Sequence, residues 1–428
     1  MKRDEIFRTV CAAGGLCLAA VWAVAGTRAG EAVVLHYAGA IGPVAVRYID
    51  RGIGDAERRG AAVVVLELDT PGGLGNSMRQ IIQQEMNARI PVVVYVAPRG
   101  ARAASAGCLI VMAADVAAMA PGTTIGAAHP LGPGGGPVSE KILNDAAAYA
   151  RVLAAAHHRN QTWAEQAVRQ SVSATADQAL AGGVVDVMAA DLNDLLRQLE
   201  GRRVPAFKGG QALALAPPQI VSVDMDWREQ FLDGLARPDL AYLLVVLGLL
   251  GVIVEAFAPH GLLTGSLGAL ALLAGLVGLA LVPVDAIGLA LLAVGILLLV
   301  LELKISLHGV LALVGAGLFV LGSLLLVPRV PGYRLSTWLV ALLALAWVGV
   351  TGVVLRQVML ARRKPVLTGI ERMIGAEGVA KTSLAPRGVV LVGSEDWAAE
   401  AESESVGAGE RVRVVEVQGL TLRVRRVS

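Results

Sequence analysis

One stretch of 119 residues, 240–358, carries only seven charged side chains, whereas the other 309 residues carry 65. A helix needs about 20 apolar residues to cross a bilayer, and five runs in succession approach that length. A single soluble core seldom needs five such runs. The sequence therefore predicts a multi-span α-helical membrane domain over 236–360. The runs are 240–257, 263–283, 285–303, 307–327 and 335–358. The second and third nearly touch, which predicts a tight hairpin or a re-entrant pair.

The N-terminus has the pattern of a secretory signal, with charged residues from Lys2 to Arg8 followed by an apolar run over 10–25. Residues 1–29 are either a cleaved signal peptide or an uncleaved anchor, and the short apolar core favours cleavage. Either one exports the segment that follows. Basic residues favour the cytoplasmic side, and they flank both ends of the membrane region. We therefore expect a multi-pass protein of the cell (inner) membrane, with 30–235 on the periplasmic or extracellular side and the C-terminus in the cytoplasm. Arg329 and Arg334 then fall on the outer side, against this rule.

Composition excludes several classes of protein. A chain that is 55% hydrophobic does not remain disordered, and three cysteines make no disulfide framework. The net charge of +2 gives no reason to expect nucleic acid. The sequence has no cluster of histidine, cysteine and acidic residues at zinc spacing. We predict neither a metal nor a cofactor.

Residues 30–200 alternate strand-like and helix-like patterns, which predicts a parallel sheet covered by helices. Two apolar strands, Ala62–Leu68 and Pro91–Val96, are followed by turns of small residues. Ligands of α/β folds gather at the carboxyl ends of strands. Ser105 lies in the second of these turns, where the next helix offers free N–H groups to an oxyanion. Taken alone, Ser105 is more ordinarily a helix N-cap.

Three motifs resemble the NfeD family (nodulation efficiency protein D): Asp69-Thr70-Pro71-Gly72-Gly73, Ala104-Ser105-Ala106-Gly107 and the segment 119–127. The segment 176–186, the membrane block and the C-terminal segment also fit this family. The resemblance covers nearly the whole chain in domain order. It implies a membrane-bound serine protease whose domain at 30–235 has an α/β Clp-protease (crotonase-like) fold.

The resemblance implies a Ser–Lys dyad, with Ser105 as nucleophile and Lys141 as general base. It also implies an oxyanion hole formed by the amides of Gly73 and Ala106. The lysine must be uncharged to accept a proton, and burial among apolar groups favours the uncharged form. We expect that apolar setting from Ile142, Leu143 and the alanines 146–148. Without the resemblance, Lys141 is more ordinarily a solvated lysine at a helix start.

His129 is an alternative base. Its context, residues 127–132, resembles that of the soluble Clp proteases, which use Ser-His-Asp. An ordinary imidazole already accepts protons near neutral pH, and Asp177 or Asp186 would orient it. The membrane architecture favours Lys141. Residues 133–138 predict a mobile loop that orders on substrate binding and only then places the base.

Residues 366–428 contain five short β-rich runs separated by turns, which predicts a small all-β barrel. The pattern resembles the OB-fold that ends NfeD proteins. Trp397 is its only aromatic residue and its charges are of mixed sign, which argues against stacking on nucleic acid. We expect a module for protein interaction or oligomerisation.

These features predict a membrane-anchored serine endopeptidase that cleaves hydrophobic peptide segments. The resemblance implies that it works with stomatin-like (SPFH-domain) membrane proteins and assembles as a homo-oligomer in the lipid bilayer. The alternative function is a non-catalytic membrane scaffold that organises SPFH assemblies. A transporter has less support, because the few charges lie near the ends of the spans. Trp227 and Phe231 predict an interfacial helix before the first span.

Overall fold

The computed structural model describes residues 30–132, 136–203, 210, 212–215, 217–257, 262–305, 309–328, 330–362 and 373–427. The predicted signal segment, 1–29, lies outside these ranges. Residues 133–135 of the predicted loop and the basic residues Arg363 and Lys364 also lie outside them. The chain forms two compact units, which divide after Thr351.

The first unit, up to the membrane region, contains both strands and helices, which are interspersed along the chain. The strands are β1 (Glu31–Ala38), β2 (Val63–Asp69), β3 (Val92–Val96), β4 (Arg102–Ala104), β5 (Val116–Met119), β6 (Thr124–Gly126), β7 (Ser173–Thr175), β8 (Val187–Met188) and β9 (Gln219–Ser222). The helices are α1 (Pro43–Arg59), α2 (Gly75–Asn87), α3 (Ala106–Ala113), α4 (Glu140–Ala156), α5 (Gln161–Arg169), α6 (Ala176–Ala181), α7 (Leu192–Leu199) and α8 (Trp227–Leu235).

The predicted parallel sheet is confirmed. In the described part of the chain, six strands pair in parallel in the order β8-β5-β3-β2-β1-β9, and β4, β6 and β7 form a smaller sheet. All of β3 is buried, as expected for a strand covered on both faces. Because β2 and β3 are neighbours, the turns that follow them meet at one edge. That edge holds both Gly72–Gly73 and Ser105.

Arg159 fixes the far end of the helix that begins after Ser105. Its buried guanidinium donates to the carbonyl oxygens of Val111, Met112 and Ala114 at 3.1, 2.8 and 2.8 Å, at the C-terminus of α3. It also donates to Asp186 Oδ2 at 2.6 Å. A cation at this position satisfies the last carbonyls of the helix and complements its dipole. Arg159 therefore positions α3 and, through it, the turn at Ser105.

Replacing Arg159 with leucine should lower the free energy of unfolding by about 3–5 kcal/mol, because a partly buried carboxylate and three carbonyls lose their donor. Chemical denaturation of the detergent-solubilised protein measures this change. Arg197→Leu is the matched control, because its ion pair with Asp194 is exposed and such pairs contribute about 0–1 kcal/mol. Equal losses for the two variants would contradict the role given to Arg159.

The predicted apolar runs of the membrane region are all helical. Among the described residues they form α9 (Pro238–Phe257), α10 (Leu263–Leu281), α11 (Ala286–Ile305), α12 (Val310–Leu326) and α13 (Thr337–Arg362). Two of these, α9 and α10, are long and apolar enough to cross a membrane by length and composition. The other three contain shorter apolar segments: Ala286–Glu302, Val310–Leu326 and Thr337–Val353.

The expected pairing of the second and third helices is wrong. The extensive helix contacts join α9 to α10 and α11 to α12 instead. Glycines make these approaches possible, since a methyl group on Gly268 would lie 2.8 Å from the carbonyl oxygen of Gly248, and one on Gly295 would lie 2.8 Å from that of Gly315. Small residues let helix backbones approach closely in a membrane. The helices that pair are therefore those with facing glycines, and not the second and third helices.

The second unit contains the predicted all-β barrel. Its strands are β10 (Glu377–Ala380), β11 (Arg387–Val392), β12 (Glu395–Ala401), β13 (Arg411–Gln418) and β14 (Thr421–Arg426). Within the described residues they close in the order β10-β11-β12-β14-β13 around a core of small aliphatic side chains. The closed barrel agrees with the predicted OB-fold.

Candidate active site

Ser105 lies between β4 and α3 with a strained backbone, at φ 54° and ψ −114°. A positive φ is uncommon for a residue with a Cβ, and such strain is typically retained where function requires it. The Ser105 amide donates to the Gly126 carbonyl at 2.9 Å. Its side chain makes no capping bond to α3 and is partly exposed. Ser105 therefore occupies the N-cap position without acting as a side-chain cap, and its hydroxyl remains accessible.

Gly72 and Gly73 pass directly beside Ser105. A methyl group on Gly72, whose φ is +119°, would lie 2.7 Å from Ser105 Cβ and 3.2 Å from Oγ. The buried Thr70 holds this turn, because its hydroxyl accepts from the Gly72 amide and donates to the Gly72 carbonyl, both at 3.1 Å. Only glycine allows the chain to approach the serine this closely.

The amides of Gly73 and Ala106 are free donors at this edge. Ile41 donates to the Gly72 carbonyl and accepts from the Leu74 amide, each at 2.8 Å. These two bonds leave the Gly73 amide, which lies between them in the chain, without a partner among the described residues. Ala106 is the first residue of α3, where an N–H has no partner within the helix. Across the described ranges, neither amide donates to another group. The turn thus presents two unpaired N–H groups next to the Ser105 side chain.

Lys141 is the second residue of α4, and its side chain is exposed. The predicted apolar setting is not present, because Ile142 is also 50% exposed and, of the residues expected to supply that setting, only Ala147 is fully buried. The buried face of α4 contains Ala147, Ala150, Leu153 and Ala154, and Lys141 lies on a different face of the helix. Among the described residues, no hydrogen bond or ion pair joins Lys141 to Ser105 or to another group.

His129 is partly buried, and its Nδ1 lies 2.9 Å from the Val168 carbonyl oxygen. A carbonyl only accepts, so this bond requires a proton on Nδ1 and leaves Nε2 as the basic nitrogen. The expected orientation by an aspartate is wrong. Asp186 accepts from Arg159 and from the Ala117 amide instead, while Asp177 is exposed in the first turn of α6. The sequence pattern did not show that a backbone carbonyl would orient this ring.

Comparison with known proteins decides the family. Residues 38–200 match the NfeD1b N-terminal domain, residues 239–357 the NfeD integral membrane domain, and residues 370–426 the NfeD-like C-terminal, partner-binding domain. The chain belongs to the NfeD family. The membrane-bound protease PH1510 of Pyrococcus horikoshii is 32% identical to this NfeD protein over 392 residues, which is 88% of this chain and 89% of that protein. The membrane protein NfeD1b of Bacillus subtilis is 26% identical over 412 residues, 89% of each chain.

Solved structures include the 1510-N membrane-bound stomatin-specific protease, as a serine-to-alanine variant. It is 34% identical to this NfeD protein with a TM-score of 0.44, and the match covers 46% of this chain and 99% of that one. A lysine-to-alanine variant in complex with a substrate peptide is 33% identical with a TM-score of 0.45, over 48% and 98% of the two chains.

The predicted family, fold class and membrane-bound protease class of this NfeD protein are confirmed. The signal segment, the sidedness, the oligomer, the domain boundaries and the roles of individual site residues stay predictions. Within the described residues, no group of three or more histidine, cysteine or acidic side chains is placed to hold a metal ion.

Sequence reasoning missed one part of the site in this NfeD protein, the loop between α12 and α13. We call residues 330–335 the outer loop, after the side of the membrane on which the sequence predicts them. A methyl group on Gly72 would lie 3.3 Å from Pro331 Cβ, and one on Gly332 would lie 2.5 Å from Ala40 Cβ and 3.3 Å from Pro71 Cγ. The membrane domain therefore contacts the turn that borders Ser105.

Cys108, one turn into α3, is excluded as a second nucleophile in this NfeD protein. The thiol is free and buried, and burial raises its pKa to about 12. Since thiolates are the reactive form, iodoacetamide should leave Cys108 unmodified in the folded protein and modify it after denaturation. Mass spectrometry of the peptide that contains Cys108 measures this. Modification in the folded state, with loss of activity, would contradict the assignment to serine.

Proposed function

We propose that this protein is a membrane-anchored serine endopeptidase in which Ser105 is the nucleophile. The observation that carries the proposal is the strained turn, which holds an accessible hydroxyl beside the free amides of Gly73 and Ala106. Ser105 Oγ attacks the peptide carbonyl carbon, and these two amides donate to the oxygen that becomes negative in the tetrahedral intermediate. The chain's similarity to a membrane-bound protease supports the same reaction class.

We propose Lys141 as the general base. Its neutral amine takes the Ser105 proton, and the resulting ammonium returns a proton to the leaving amine, which leaves an acyl-enzyme for water to hydrolyse. No described group pairs with Lys141, which lies in the first turn of α4. A movement of this first turn can therefore bring the lysine to the serine when substrate binds. Among the described residues, the hydrogen-bond partner of His129 is a backbone carbonyl rather than a carboxylate, which makes His129 the poorer candidate.

The substrate class we propose is an apolar peptide segment of a membrane protein. The 1510-N protease, whose structure is solved, is described as stomatin-specific. The C-terminal domain of this chain matches the family model of an NfeD-like partner-binding domain. A stomatin or SPFH-type membrane protein is therefore the proposed partner, and the barrel is its proposed contact. We further propose a multi-pass, homo-oligomeric assembly in the bilayer, with the protease domain on the exported side and the barrel in the cytoplasm.

A serine-reactive fluorophosphonate probe tests this function on the full chain. Labelling of the wild type at Ser105, with loss in Ser105→Ala, is the expected result. The alternative function, a non-catalytic scaffold for SPFH assemblies, draws support from the exposed Lys141 that is not paired with the serine. It predicts no labelling of the wild type together with retained binding of the SPFH partner.

A further inference from the structure

The outer loop is fixed against the protease domain by Tyr333. Only 3% of Tyr333 is exposed, and it belongs to an apolar cluster against which Ala40 and Leu74 pack; these two residues precede and follow the Ile41–Gly73 bridge. The Tyr333 hydroxyl fills the space beside Gly42, where a methyl group would collide with it. Burial raises the pKa of Tyr333 to about 12, with the charge of Asp233 as the second cause. The contact is thus closed to water rather than a loose approach of two surfaces.

Further contacts hold the loop and the active-site edge in register. The N-terminal turns of α9 and α13 are joined, because Asp239 accepts from the Ser336 amide at 2.8 Å and from its hydroxyl at 2.5 Å. On the other side, α8 contacts α9 and α10. It is tied to α1 by Arg51, which donates to the buried Glu229 at 2.9 and 2.6 Å. The outer loop therefore keeps a defined position beside the turn at Gly72.

The loop borders the turn over which a substrate has to lie. The oxyanion donors lie on the Gly72–Gly73 turn and at the start of α3, so the scissile carbonyl has to lie over that turn. A methyl group on Gly72 would lie 2.7 Å from Ser105 Cβ and 3.3 Å from Pro331 Cβ, so Ser105 and Pro331 border the same face of Gly72. A substrate residue next to the scissile bond consequently lies close to Pro331 and Gly332.

We propose that Pro331 and Gly332 form one wall of the substrate cleft, so that the membrane domain limits the size of the substrate side chain beside the scissile bond. This rests on the proposed peptidase function. The wall belongs to the connection between two membrane helices, so the cleft opens close to the membrane surface. Apolar segments adjacent to a membrane-embedded helix are the substrates that reach such a cleft without leaving the bilayer surface.

The test uses the full chain in detergent or nanodiscs and a series of peptides that differ only in the side chain next to the scissile bond, from glycine to phenylalanine. Pro331→Trp narrows the proposed cleft. We expect kcat/KM to fall about tenfold or more for phenylalanine and to change little for glycine, since a pocket discriminates by roughly this amount per side-chain step. Pro331→Ala removes bulk from the proposed wall, so kcat/KM for phenylalanine should not fall in this variant. Met86→Trp, on an exposed face of α2, is the matched control and should leave both peptides unaffected.

Labelling by the small fluorophosphonate separates the possible outcomes. Size-selective loss of cleavage with labelling retained supports the wall. An unchanged peptide preference in Pro331→Trp overturns it and leaves the peptidase function intact. A uniform loss for every peptide, with labelling lost as well, also overturns it, because the loop would then only support the fold. A wild type that neither labels nor cleaves removes the peptidase function and the wall with it.

Discussion

Replacing Ser105 with alanine should lower the rate of peptide hydrolysis by about 10⁴-fold or more, which is the usual consequence of removing the nucleophile from a catalytic serine site. No other described side chain at this turn can attack, since the Cys108 thiol is buried and protonated. Initial rates on an apolar fluorogenic peptide measure the effect. Ser105→Ala should keep the thermal unfolding temperature close to that of the wild type, because the hydroxyl makes no capping bond.

Ser171→Ala is the matched control for this prediction. Ser171 is also a serine with a positive φ, 56°, and its side chain is exposed, but it is not next to the Gly72–Gly73 turn in the chain or in the contacts of Gly72. It should keep wild-type activity. Substantial hydrolysis by Ser105→Ala preparations that are free of contaminating protease would show that the strained turn serves a structural purpose, and the scaffold function would replace the peptidase.

Local sequence patterns were sufficient for the elements of this fold. The continuous apolar run of β3 and the glycines after β2 indicated a buried strand and a tight turn, and the structure has both. The position of Ser105 at a turn of small residues followed from the same reasoning. The free amides beside it, however, depend on the bridge between Ile41 and Gly73, which no local pattern encodes.

Contacts between distant segments could not be predicted in this way. Nothing around Pro331 indicates that it lies beside Gly72, because the two residues meet only through the packing of the membrane helices. Arg159 stands next to two histidines on a polar stretch, a pattern more typical of a surface residue, and its burial arises from the end of α3. The burial expected around Lys141 was wrong for a related reason: which face of α4 is covered depends on its packing against other elements, and alanine-rich helices have weakly marked faces.

Replacing Lys141 with alanine should lower kcat for peptide hydrolysis by roughly 10²–10⁴-fold, the usual contribution of a general base. The second variant, Lys141→Arg, distinguishes a general base from a charge that only stabilises the helix. Arginine keeps the positive charge and much of the length, but its guanidinium does not give up its proton in proteins. If Lys141 acts as a base, arginine should be as inactive as alanine. If Lys141 only holds a charge at the start of α4, arginine should restore activity.

His129→Ala completes the comparison and should keep activity within a few-fold of the wild type. The reason is that the described structure offers His129 only a backbone carbonyl, whereas a histidine base is normally stabilised in its charged form by a carboxylate. A reversed result, with His129→Ala inactive and Lys141→Arg active, would assign the proton transfer to the imidazole. It would also mean that the first turn of α4 has no need to approach Ser105. Arg79 of α2 donates to Asp145 of α4 at 2.7 Å and so holds the two helices together. If the imidazole is the base, Asp145→Asn should leave kcat unchanged. If Lys141 instead has to move towards Ser105, loss of this ion pair should alter kcat.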